Sequence, residues 1–90
     1  KEATYVLKVH GTSMRDAGIL PGDLLLVERG VQPRDGDIVI AQVDRAWTMK
    51  FFRRRGAHVF LEAANSDYQP IHPQEELTIA AVVRAVIRKY

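Results

Sequence analysis

Ser13 lies in the segment Val9-His10-Gly11-Thr12-Ser13-Met14-Arg15-Asp16-Ala17-Gly18-Ile19. Gly11 closes an apolar run, where it permits a tight backbone turn that a Cβ would obstruct. A serine on such a turn can present its Oγ, while successive backbone N–H groups point at one spot and form an oxyanion hole. Thr12 and Ser13 also fit an ordinary turn or helix cap. The second reactive candidate is Lys50, within Trp47-Thr48-Met49-Lys50-Phe51-Phe52, the least polar setting of any lysine in the chain. Alternation along a strand puts Thr48, Lys50 and Phe52 on one face, with Trp47, Met49 and Phe51 on the other. Apolar surroundings disfavour the ammonium, lower its pKa and make a neutral amine available. Such an amine can take the proton of a serine hydroxyl, the Ser-Lys form of a nucleophile and base. Thr48, on the same face, could hydrogen-bond the amine and fix its direction. An edge-strand lysine snorkelling to water satisfies the same local pattern.

Other chemistries find less support. The chain has no cysteine, which excludes disulfides, thiolate catalysis and Cys-ligated zinc. It carries no Walker glycine loop, no HExxH and no Gly-x-Ser-x-Gly. His10, His58 and His72 stand far apart in sequence without carboxylates at ligand spacing, so neither a metal nor a cofactor is expected. The longest apolar stretches, Leu24 to Val27 and Ile79 to Val83, are too short to span a bilayer.

These residues must be positioned by one domain, since 90 residues with 47% apolar content suffice for a core and no linker divides them. Turns are marked by Leu20-Pro21-Gly22-Asp23, Glu28-Arg29-Gly30, Pro33-Arg34-Asp35-Gly36-Asp37 and Arg55-Gly56. Between them, runs rich in β-branched and aromatic residues predict strands over Tyr5 to Val9, Leu24 to Val27, Ile38 to Val43, Ala46 to Phe52, His58 to Leu61 and Leu77 to Ile87. The last run is long enough for a helix, but Thr78, Ile79, Val82, Val83, Val86 and Ile87 favour strand. Met14 to Gly18 suits one helical turn ended by the glycine. The expectation is a mostly β, compact, barrel-like antiparallel fold.

At these residues the sequence resembles the LexA and UmuD group of self-cleaving peptidases. The central motif is Val9-x-Gly11-x-Ser13-Met14-x-Asp16-x-Gly18-Ile19, continuing into Gly22-Asp23-Leu24. A second block, Asp35-Gly36-Asp37-Ile38-Val39-Ile40-Ala41, leads into Thr48-x-Lys50. The third is Asn65-Ser66-x-Tyr68-x-Pro70-Ile71, and Val82-Val83 with Val86-Ile87-Arg88 completes the order. Two positions depart from the pattern. Ala80-Ala81 stands where many relatives carry a glycine, and Phe51-Phe52 follows the lysine where Arg-Leu or Lys-Leu is commoner.

The resemblance implies a fold of the LexA and signal-peptidase type, with Ser13 as nucleophile and Lys50 as general base. It implies an oxyanion hole from the backbone N–H groups of Thr12 and Ser13, and an orienting role for Thr48. It further implies a cytoplasmic homodimer whose self-cleavage is stimulated by a RecA filament on single-stranded DNA. Within the family, the repressor branch of the DNA-damage (SOS) response is expected, with a UmuD-like polymerase subunit or a phage repressor as alternatives. The family's scissile Ala-Gly or Cys-Gly bond does not occur before Ser13. Residues 1–90 are therefore expected to be the peptidase and dimerisation domain, operator DNA being contacted only by an N-terminal domain outside this sequence. From a different class, Lys50, Phe51, Phe52 and Arg53 to Arg55 suit a single-strand nucleic-acid binder, with rings to stack bases and cations to track phosphates.

Overall fold

A computed structural model describes residues 4–74 and 76–90. Six strands are present: β1 (Thr4–Lys8), β2 (Leu24–Glu28), β3 (Ile38–Val43), β4 (Ala46–Arg55), β5 (His58–Glu62) and β6 (Leu77–Ile87), with one 3₁₀ turn at Arg15–Ala17. The expected strands all appear, and β4 runs on through the arginines to Arg55. Gly18 ends the 3₁₀ turn in the left-handed region, its N–H donating to the Arg15 carbonyl. This is the glycine stop expected from the sequence.

The strands form one sheet in the order β1-β2-β6-β3-β4-β5, and every neighbouring pair is antiparallel. The sheet is open rather than closed into a barrel, because β1 and β5, its two ends, do not pair. The outer edge of β5 is instead taken up by a single bridge, in which Leu61 and Ile71 exchange hydrogen bonds of 2.9 and 2.8 Å. Satisfying an edge in this way removes the unpaired backbone groups that would otherwise seek another strand.

Alternate side chains feed two apolar clusters on opposite faces. Ile38, Ile40, Met49 and Phe51 pack against the one built on Val9, Met14, Ile19, Leu25, Val27 and Ala81. Val39, Ala41, Val43, Phe52, Leu61 and Val82 form the other. Leu25 and Leu61 are almost wholly excluded from water, and burying each contributes roughly 2–3 kcal/mol. β6 serves both clusters because of a bulge. Ile40 faces Ala81 and Ala41 faces Ile79, so Ala80 is the extra residue between them. An odd offset would place Ile79 and Val82 on opposite faces, and the bulge restores both to the same one. That is what stands at the position where the family pattern has glycine.

Candidate active site

Between β1 and β2 the chain must leave the sheet and return. Gly11 turns it with a φ of +81°, a conformation cheap only for glycine. Met14 then anchors the loop as a fully buried side chain. Where β5 stops pairing with β4 at Phe51 and Glu62, this loop comes in beside β4. The Ala64 N–H donates to the Ser13 carbonyl at 2.8 Å, and the Asp16 N–H to the Ala64 carbonyl at 2.7 Å. The Ser13 hydroxyl donates to the Met49 carbonyl at 3.1 Å, one residue before Lys50. The Ser13 hydroxyl is thus held against β4 at the residue before Lys50, while among the described residues no hydrogen bond joins the Ser13 and Lys50 side chains.

Lys50 is 5% exposed, so the alternation reading holds and the snorkelling lysine does not describe it. Its amine donates to the Thr48 hydroxyl, on the same face two residues earlier. The Tyr68 ring lies 5.4 Å from the Lys50 nitrogen. No carboxylate pairs with Lys50 among the described ion pairs, and desolvation pushes its pKa down. Burial therefore weighs against the charged form, and the partner of the amine is a neutral hydroxyl.

The Ser13 turn presents donors as well as a hydroxyl. Among the described residues, no acceptor takes the backbone N–H of Thr12, Ser13 or Met14. Such donors are therefore open to an acceptor that arrives at the turn.

Two residues complete the site, and both occur in the third motif block without an assigned role. Asn65 is 4% exposed, and its amide nitrogen donates to the Thr12 carbonyl at 2.8 Å. Its amide oxygen accepts from the Asp67 N–H at 2.9 Å and from Arg15 at 3.3 Å. Asn65 thus ties the loop after β5 to the turn bearing Ser13. Tyr68 spans the site, its hydroxyl 3.4 Å from the Thr12 hydroxyl and its ring beside Lys50. Asn65-Ser66 is a turn signal in the sequence, but that the turn folds back onto Thr12 is a long-range fact with no local trace. A cavity of about 490 Å³ lined by Lys8, Leu20, Asp23 and Arg88 lies away from Ser13 and Lys50. Within the described residues no three His, Asp or Glu side chains gather as a metal site.

Residues 1–84 match the family described as Peptidase S24-like. LexA repressor 1 of Pseudomonas syringae pv. tomato is 44% identical over 90 residues, covering 97% of this chain and 45% of the relative. LexA repressor of Ralstonia pickettii is 53% identical over 68 residues, 76% of this chain and 32% of the relative. LexA repressor of Shewanella woodyi is 43% identical over 89 residues, 96% and 43% of the respective chains. The chain therefore spans less than half the length of these curated relatives. With Ser13 and Lys50 carried on the loop and strand just described, the chain belongs to the Peptidase S24-like family, as the motifs around them imply.

Proposed function

We propose that this chain is the peptidase domain of a LexA-type repressor, and that Ser13 and Lys50 carry out its self-cleavage. The observation that carries the reading is a buried lysine with no counter-ion among the described residues, beside a serine hydroxyl bonded to the carbonyl one residue earlier on the same strand. In the reaction, the neutral Lys50 amine accepts the Ser13 hydroxyl proton as Oγ bonds to the scissile carbonyl carbon. The N–H groups of Thr12 and Ser13 stabilise the oxyanion. Collapse of the tetrahedral intermediate breaks the C–N bond, and the Lys50 ammonium returns its proton to the departing amine. Lys50 then deprotonates a water that hydrolyses the Ser13 ester. Thr48 holds the amine in line.

The partners follow from the family reading. They are a RecA filament on single-stranded DNA as the stimulating co-protease, and operator DNA bound through an N-terminal domain. Assembly is a symmetric homodimer. β6 supports this, since β3 pairs with it only as far as Val82 and leaves that edge of Val83–Ile87 free. Val86 and Ile87 are also 40% and 47% exposed, and an isologous contact suits a self-complementary strand. Among the described residues no helix is long and apolar enough to cross a membrane, and a cytoplasmic location is part of this proposal. The named relatives favour the repressor over a polymerase subunit.

The test is an extended chain carrying the upstream scissile bond, followed by electrophoresis from neutral to alkaline pH. Cleavage should accelerate as the neutral amine becomes populated and vanish in Ser13→Ala. A rate flat or falling with pH would remove Lys50 from the role of base.

A further inference from the structure

The arginine run and its neighbouring rings are not used by the peptidase reading. Of the residues first considered for base stacking, Lys50 and Phe52 are buried and Phe51 packs on the core, so none of them can receive a base. A different set of rings is displayed on the same hairpin. His58 and Phe60 share a face of β5, and His72 reaches them from beyond the Ile71 bridge. Their ring centroids are 5.5 Å apart for His58 and Phe60, 5.1 Å for the two histidines and 5.2 Å for Phe60 and His72. The planes differ by only 22°, 9° and 25°.

Three near-parallel rings with almost equal mutual spacing cannot form a column, because its outer pair would stand about twice as far apart as neighbours do. They form instead a compact tile of mutually offset, overlapping rings, with Arg55 over the Phe60 ring and His58 and His72 the more exposed members. The His58 Nε2 and His72 Nδ1 atoms are 3.0 Å apart, so one imidazole N–H donates to the bare nitrogen of the other and holds the tile together. Cations flank it. Arg55 lies 5.8 Å from the Phe60 centroid, and Arg53 is opposite Phe60 in the strand register. Among the described residues, the acidic groups paired with these arginines are Glu62, 2.8 Å from Arg53, and Asp35, 3.5 Å from Arg55. The Arg55 and Asp35 side chains are 65% and 50% exposed, so their contact is weak and can yield to a phosphate.

We propose that this aromatic cluster and its arginines bind single-stranded nucleic acid, with bases stacking on the exposed His58 and His72 rings and Arg55 meeting the phosphates. Unpaired bases offer free π faces to such a cluster, whereas a duplex keeps its base faces in its own stack. Sequence preference should be slight, since every base has a π face. The inference is independent of the Ser13–Lys50 reading and uses none of its residues.

Fluorescence anisotropy of a labelled oligothymidylate of about 15 nucleotides, in about 50 mM salt, tests it with the 90-residue chain. Saturable binding that weakens steadily with salt is expected. Phe60→Leu with His58→Ala should weaken it at least about tenfold, within the range of losing one or two stacked bases. Arg55→Glu, which leaves the rings in place, should also weaken it and reduce the salt slope by about 0.7. Lys8→Ala with Lys89→Ala, distant from the tile, should leave it unchanged, and melting curves of each variant verify folding. The proposal is overturned by absence of binding, by equal affinity for duplex, by ring variants that bind like the parent, or by polyglutamate competing as well as DNA. The last result would mark the patch as a surface for acidic protein.

Discussion

Asp23 and Lys50 are both nearly excluded from water, at 4% and 5% exposure, yet their surroundings follow opposite plans. Asp23 receives two hydrogen bonds from Arg88, at 2.8 and 2.6 Å, and one from the Leu20 N–H at 2.9 Å. Arg88 and the Leu20 N–H hold its carboxyl well below the usual carboxylate range, at about 2. Lys50 has a neutral hydroxyl and a ring instead, and burial pushes its pKa down. At Asp23 the fold secures the charged form; at Lys50 it undermines it. A buried charge with a full partner set ties strands together, and here it joins the start of β2 to the residue after β6. A buried amine with no counter-ion among the described residues lowers the stability of the fold, and on the proposed reading it holds a base ready for proton transfer.

The comparison can be broken in four ways. Lys50→Met, similar in length and never charged, should reduce self-cleavage of an extended chain by about a thousandfold or more, since it removes the proposed general base. The same change should leave the domain as stable at neutral pH or up to about 2 kcal/mol more stable, which melting curves will report. A Lys50→Met protein clearly less stable than its parent would place Lys50 among ordinary solvated lysines. Arg88→Met should act in the opposite direction, stranding the Asp23 carboxylate and lowering the melting temperature by on the order of 5 °C or more. Equal melting temperatures for that variant and its parent would erase the distinction drawn between the two sites.

Asn65→Ala should cost about 1–2 kcal/mol through the unpaired Thr12 carbonyl and Asp67 N–H. It should also slow cleavage roughly tenfold by loosening the Ser13 turn. Rescue of the rate by Asn65→Asp, which cannot donate to Thr12, would contradict that positioning.

The smallest effect is in the pH dependence of stability, where the two sites have opposite signs. The folded pKa of Asp23 is depressed, so its contribution is present above its unfolded value near 4 and is lost as pH falls toward 2. Parent and Arg88→Met melting temperatures should therefore converge on acidification across that interval. Lys50 is also depressed, but as a base. Its penalty applies in full below its folded pKa and disappears as pH rises to the ordinary lysine value. Parent and Lys50→Met should converge in alkali instead.

Much of this was legible in the residues. Strand identity followed from β-branched runs between glycine and proline turns, and the Lys50 face followed from period-two alternation, because both are local properties. The Ser13 and Lys50 roles drew on family motifs rather than on local pattern, since a turn serine and a strand lysine have common structural uses. What escaped was set by distance. The fold-back of Asn65 onto Thr12 joins residues 53 positions apart. The bridge that brings Ile71 to Leu61 at the edge of β5 also has no local trace. The ring tile required knowing that His72 returns to His58. The bulge at Ala80 was likewise hidden, because only the register against β3 reveals it.

β6, the last strand in chain order, is wedged between β2 and β3. During synthesis from the N-terminus, β1–β2 and β3–β4–β5 can each form as local ribbons, but nothing in the sheet joins them until Leu77–Ile87 has left the ribosome. The loop bearing Ser13 belongs to the first ribbon and Lys50 to the second. A growing chain therefore carries both groups for some seconds, at roughly 5–20 residues per second, without the sheet that holds them together. On the proposed reading, translation order itself would keep Ser13 and Lys50 from acting together until their scaffold is whole.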